Sequence, residues 1–251
     1  MRSIDLNCDM GESFGTYRLG DDTAILPYIS SANIACGFHA GDAHVMRKTV
    51  QLAAKHNVSI GAHPGLPDLQ GFGRREMTIS PQEAFDYTVY QVGALQAVAK
   101  SCGTTVRHVK AHGALYNMAA RQPLLADAIV QAIKSCDDKL TVVGLAGSAW
   151  VEAAEKHGMS LSQEVFADRR YESDGSLTPR THADAVIEDL KEALIHVERM
   201  VFDGVVETRL GESVPIKADT ICLHGDGPYA VEFARAIHSL FTRLGITIRH
   251  V

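Results

Sequence analysis

The sequence predicts an α/β fold, a closed β/α barrel of seven or so strands, and three observations predict it. Short β-prone runs alternate with longer amphipathic ones along the whole 251 residues, the pattern of parallel strands joined by crossover helices. Seven or eight such units fit the chain, which favours a barrel over an open doubly wound sheet with the same alternation. Histidines and carboxylates recur just past the apolar runs, where parallel strands converge on one mouth. No Pro/Ser-rich linker or internal repeat divides the chain, so residues 1–251 read as one domain.

In chain order, the first strand covers 3–8, and Asp5, Asn7 and Asp9 at spacings of two share one of its faces. Strands follow at 32–36, 58–62, 106–110, 140–144, 161–166, 220–223 and 246–249, each a short β-prone run bounded by turn residues. Between them the apolar period becomes helical at 42–56, 81–102, 123–136, 148–157, 182–200 and 228–244. The helix at 81 is announced by Ser80 as N-cap, Pro81 in the first turn and Glu83 at the capping-box position. The run DGVVETRLGESVPIK at 203–217 breaks the alternation and reads as an inserted hairpin around Gly211, placed to cap one end of the barrel.

Composition narrows the function. Hydrophobic residues at 46% and charged residues at 22% describe an ordinary globular chain, and the net charge of −6, without a Lys/Arg block, argues against nucleic acid as partner. No export signal or run of about 20 apolar residues is present, so no membrane role is expected. The five cysteines form no C-x-x-C pair, which fits a reducing cytoplasm.

The chemistry gathers at the strand ends. GFHAGD supplies His39 and Asp42, GAHPG supplies His63, KAHGALYN supplies Lys110, His112 and Asn117, and LHGDGP supplies His224 and Asp226. EVFADRRY adds Glu164, Asp168, Arg169 and Arg170. Carboxylates and imidazoles in one cleft can hold a divalent metal, with Asp9, His39 and His63 as a ligand trio. They serve equally without metal, an Asp or His acting as base on water while Lys110 or His112 stabilises an oxyanion. His44 and His108 lie inside elements and read as surface or capping residues. Ser13 in GESFG matches a nucleophile motif, but no helix follows it, and Cys36 reads as a small buried residue. The long loop 61–78 carries the adjacent pair Arg74 and Arg75, suited to a carboxylate or phosphate. No phosphate-cradling glycine motif is present.

DLNCDMGESFG, SANIACGFHAGD, IGAHPGLPDLQGFGRR, VKAHGALYN, EVFADRRYESDGSLTPR and ICLHGDGPYAV together resemble the LamB/YcsF family, in order along nearly the whole chain. One departure is Ala111, where the family usually carries proline. The resemblance implies an irregular seven-stranded barrel similar to glycoside hydrolase/deacetylase barrels. It also implies ATP-dependent opening of the 5-oxoproline lactam to L-glutamate with partner subunits B and C. The partners would phosphorylate the lactam and this chain hydrolyse it, so that ATP is used by the complex. In that scheme Asp9 or Asp168 is the general base, Lys110 and His112 stabilise the oxyanion or leaving group, and His39 and His63 position water or a metal. Asn7, Glu12, Arg75, Arg169, His224 and Asp226 orient the substrate. A metal-dependent deacetylase, or a non-catalytic subunit that binds the partners, are the competing readings.

Overall fold

A computed structural model describes residues 2–223, 225 and 229–250. The strands are β1 (Ser3–Met10), β2 (Ser31–Ala35), β3 (Ser59–His63), β4 (Val106–Lys110), β5 (Thr141–Leu145), β6 (Leu161–Phe166), β7 (Val205–Glu207), β8 (Ser213–Pro215), β9 (Thr220–Leu223) and β10 (Thr247–Ile248). The helices are α1 (Asp22–Ile25), α2 (Ala43–Lys55), α3 (Pro81–Ser101), α4 (Gly113–Arg121), α5 (Pro123–Cys136), α6 (Ala149–His157), α7 (Leu190–Glu198) and α8 (Ala230–Arg243). Strands β1 to β6 and β9 pair in parallel, and β1 pairs with β9, closing a seven-stranded barrel. β10 joins the start of β1 outside the ring, in register Ser3 to Thr247. β7 and β8 form an antiparallel hairpin between α7 and β9. Among the described residues no helix is long and apolar enough to cross a membrane.

The two faces of each barrel strand do different work. On β1, Ile4, Leu6, Cys8 and Met10 join the apolar layer between strands and helices, where Val50, Leu95, Ile129, Trp150 and Phe241 are also buried. The alternate residues Asp5, Asn7 and Asp9 are equally buried but face inward. This is shown by side-chain bonds between strands that are not neighbours: Lys110 of β4 reaches Asp9 of β1 and Cys222 of β9. The interior is therefore a polar column, unlike the branched aliphatic filling common in β/α barrels. A close approach across it explains one glycine, since a Cβ on Gly61 would lie 2.0 Å from His108 Nε2.

The capping box predicted at Ser80 is present, with Glu83 N–H donating to Ser80 Oγ and Ser80 N–H to Glu83 Oε2. The predicted helix over 182–200 begins only at Leu190, where Asp189 accepts from the Glu192 N–H. Helix α4 was not predicted, because it starts on a glycine at φ +52° with no side-chain cap. His108, read as a surface or capping residue, is fully buried inside the barrel.

Candidate functional site

A cavity of about 830 Å³ opens at the carboxyl ends of the strands, lined on its floor by Asp9, His63, Lys110 and His112. Phe166 and Tyr116 form an apolar part of its wall. The floor is built by strand ends, so its side chains inherit the rigidity of the barrel.

Lys110 sits at the centre. Its Nζ lies 2.9 Å from Asp9 Oδ1, 2.9 Å from Glu164 Oε1 and 2.9 Å from Cys222 Sγ, and only 3% of its side chain is exposed. Burial alone would favour the neutral amine, but the surrounding anions, Asp9 foremost, outweigh it and hold the Lys110 pKa well above its usual value. The Cys222 thiol is pushed up by burial and stays protonated. Glu164 also accepts from Asn7 Nδ2 at 3.0 Å and from the Tyr116 hydroxyl at 2.7 Å. Asp9 Oδ1 accepts from Asn33 Nδ2 at 2.9 Å, and the Asn33 carbonyl accepts in turn from His108 Nε2 at 2.8 Å. Burial pushes His108 down to about 3, so this ring is neutral and its role is to orient Asn33.

Above this column stand three imidazoles. His39 and His112 stack with centroids 3.7 Å apart, and His63 meets both edge-on. Burial, then the neighbouring rings, push His39 and His112 well below the usual histidine range, which keeps both neutral. Their tautomers follow from their partners. His63 Nδ1 is 2.7 Å from the Lys110 carbonyl and His112 Nε2 is 2.8 Å from the Phe72 carbonyl, and a carbonyl only accepts. Each ring therefore donates outward and turns its remaining lone pair inward. Those two nitrogens, His63 Nε2 and His112 Nδ1, face each other at 2.9 Å. Two lone pairs at that distance need a cation between them, either a shared proton or a metal.

The donor set fits a metal. One ligand atom each from Glu12, His39, His63 and His112 lies within 4.8 Å of the others. Glu12 Oε1 is 3.4 Å from His39 Nε2 and 3.7 Å from His112 Nδ1. Neither His39 nitrogen has a hydrogen-bond partner among the described residues. Three imidazoles and a carboxylate, two of the rings oriented by backbone carbonyls, suit zinc or a similar first-row ion. The trio expected from sequence included Asp9; the structure gathers Glu12 and His112 with His39 and His63 instead, and leaves Asp9 Oδ2 3.4 Å from His63 Nε2.

Other expected residues are placed differently. His112 was expected to stabilise an oxyanion, but its N–H is committed to Phe72, and it offers the site a lone pair. Asn7 lies beneath the floor, bonded to Glu164, Thr220, Asn33 and Lys110, and does not line the cavity. Asp168, expected as an alternative base, is not among the cavity-lining residues, and its carbonyl accepts from the Ile187 N–H. Arg75 turns away to pair with Asp68, with 65% of its side chain exposed, while its neighbour Arg74 lines the cavity. Arg169 lines the cavity. His224 and Asp226 lie outside the described residues. Ser13 Oγ accepts from the Leu19 N–H as a loop bond, and burial pushes the Cys36 thiol up to about 12, so neither is an activated nucleophile. Asn33, Tyr116 and His108 were not chosen from sequence, although His108 shares a strand face with Lys110 by the same two-residue spacing that marks Asp5, Asn7 and Asp9.

Known proteins resemble this chain in sequence and in fold. The chain is 57% identical over 248 residues to a protein from Brevibacillus brevis that is named as the A subunit of 5-oxoprolinase, covering 99% of this chain and 98% of that one. The crystal structure of a lactam utilization protein from Thermus thermophilus superposes with a TM-score of 0.93 at 44% identity, covering 99% of this chain and all of the other. The catalytic domain of a peptidoglycan N-acetylglucosamine deacetylase from Eubacterium rectale shares the fold, with a TM-score of 0.53 at 10% identity, over 100% of this chain and 88% of that one. Residues 4–251 match the LamB/YcsF family, and the chain belongs to it.

Proposed function

We propose that this chain is the A subunit of a 5-oxoprolinase, opening the lactam of 5-oxo-L-proline to L-glutamate together with partner subunits B and C that bring ATP to the reaction. The full-length likeness to proteins named as 5-oxoprolinase A subunits carries the reading, and the cavity floor supplies a chemistry for it. Water adds to the lactam carbonyl carbon, the ring C–N bond breaks, and the nitrogen leaves as an amine after taking a proton. Asp9, at the cavity floor and held between Lys110 and His63, is the base that takes the proton from water. The Lys110 ammonium, 2.9 Å from Asp9 Oδ1, places positive charge where the carbonyl oxygen becomes negative. Tyr116 and Phe166 give the lactam ring an apolar wall.

A divalent cation held by Glu12, His39, His63 and His112 would supply Lewis acidity beside that carbonyl and make water more acidic. The chain's own contribution to such a site is the fixed orientation of His63 and His112 by the Lys110 and Phe72 carbonyls. The test is glutamate release from 5-oxoproline with ATP and magnesium, comparing the partners alone, this chain alone, and the complete mixture. Release confined to the complete mixture supports the reading. Full release by the partners alone would sink the catalytic role of this chain.

A further inference from the structure

We infer that the Tyr116 hydroxyl oxygen accepts the ring N–H of the lactam, and so selects secondary lactams over lactones and N-substituted rings. This deepens the 5-oxoprolinase reading and rests on it, because it names the part of that substrate which Tyr116 recognises.

The proton of this hydroxyl is already committed. Tyr116 donates to Glu164 Oε2 at 2.7 Å, while the other oxygen of the same carboxylate takes Asn7 Nδ2 at 3.0 Å and Lys110 Nζ at 2.9 Å. Burial, then the charge of Glu164, push the Tyr116 pKa well above its usual value, so the proton stays on the phenol. A phenol has one proton to give and keeps lone pairs to accept with. Tyr116 therefore offers an acceptor, not a donor, to a ligand in the cavity that it lines.

The ring is also fixed in place. Only 3% of Tyr116 is exposed, and its ring packs against Trp150 on α6 and Phe166 at the end of β6, with centroids 5.9 Å and 6.0 Å away. Trp150 Nε1 donates to the Tyr116 carbonyl at 3.3 Å. Trp150 has room there because residue 144 is glycine, where a Cβ would lie 2.5 Å from Trp150 Cβ. Held at its backbone, its ring and its hydroxyl, Tyr116 cannot turn its proton towards a ligand.

The lactam supplies the matching edge. Its amide is planar and a five-membered ring holds it cis, so the carbonyl oxygen and the N–H leave the ring side by side, an acceptor beside a donor. Lys110 and Tyr116 stand on the two oxygens of one carboxylate in the complementary sense. The first brings positive charge for the carbonyl oxygen, and the second a lone pair for the N–H. A lactone would set a ring oxygen against the Tyr116 oxygen, and an N-methyl group would leave that acceptor without a proton. Sites built to hydrogen-bond a substrate N–H reject analogues that lack it, because a buried polar group is then left unpaired.

The experiment titrates the full chain, wild type and Y116F, by calorimetry with 5-oxoproline, its γ-lactone analogue and N-methyl-5-oxoproline. Thermal denaturation confirms that Y116F is folded. Wild type is expected to bind the lactam about tenfold or more tighter than either analogue, and Y116F to bind lactam and lactone within about twofold of each other. The wild-type ratio needs no variant, so it tests the proposal even if Y116F fails to fold. A merely structural role, acting through Glu164 and Lys110, weakens lactam and lactone alike and leaves their ratio unchanged, and that result overturns the proposal. So does equal binding of lactam and lactone by wild type, or no binding of 5-oxoproline. Glutamate release in the complete mixture separates the two ideas. Release by wild type together with equal affinities overturns the acceptor role alone. A wild-type preference that collapses in Y116F, with no release from wild type and folded partners, overturns the functional reading alone.

Discussion

Replacing Lys110 by methionine tests the centre of the site. The nitrogen touches Asp9 and Glu164 at 2.9 Å each, so the two carboxylates are no more than about 6 Å apart. Without the ammonium they face each other across a buried gap. At an effective dielectric of about 20, two charges at that distance repel by about 3 kcal/mol, and removing one partner of a buried ion pair typically costs about 3–5 kcal/mol. These overlap, so K110M should lose about 3–5 kcal/mol in urea denaturation at pH 8, which for a chain of this size lowers Tm by roughly 6–20 °C. The pH dependence carries a sign. With the lysine gone, one carboxylate of the pair binds a proton more tightly in the folded state than in the unfolded, so the variant recovers stability in acid and loses it as pH rises. The deficit against wild type should be smaller at pH 5 than at pH 8. Adding E164Q should restore part of the loss at pH 8, since one of the two charges is then neutral. A K110M deficit under about 1 kcal/mol at pH 8, or an unchanged deficit in the double variant, would refute the idea that this lysine balances two buried carboxylates.

Gly61→Ala places a methyl 2.0 Å from His108 Nε2; the barrel must shift, and thermal denaturation should show a loss of about 2 kcal/mol or more, with an unaffected Tm counting against the tight interior. Equilibrium dialysis against zinc should find one ion retained per wild-type chain and affinity reduced about tenfold or more in H112Q and E12Q; equal retention by all three would place the ion elsewhere. His196 on α7 is buried, and burial pushes its pKa down to about 4. A folded pKa below the unfolded value of about 6.5 gives stability that is present above pH 6.5 and lost as pH falls towards 4, about 3 kcal/mol in all. Wild type and H196L, compared by urea denaturation from pH 7 to 4, should therefore diverge in slope over that window, and parallel curves would contradict it.

Much of the fold is legible in the chain because its strands are short apolar runs bounded by turn residues. The limits at Val106–Lys110, Leu161–Phe166 and Thr220–Leu223 coincide with the sequence reading. Helix α4 escapes because nothing local announces it: its N-cap is His112, whose ring is occupied with Phe72 and His63. The convergence of Asp9, His39, His63, Lys110 and His112 follows from strand-end topology, which sequence order already contains. The choice between Arg74 and Arg75 does not, because an irregular loop has no period to say which neighbour faces inward. Nor is the Asp68 pairing that draws Arg75 away visible before the loop is folded. The exchange of Asp9 for Glu12 in the ligand set is of the same kind: Glu12 lies just past the end of β1, where the two-residue alternation no longer applies.

The inward face of β1 has a consequence for the life of the chain on the ribosome. Asp5 and Asn7 find their partner Thr220 more than two hundred residues later in the sequence, and Asn7 waits as long for the β1–β9 pairing that closes the ring. β1 is synthesised first and completed last. Until β9 has emerged, the earliest segment carries polar groups whose permanent partners do not yet exist. A translation product that stops short of residue 220 is therefore an open sheet with the polar half of its first strand unmatched.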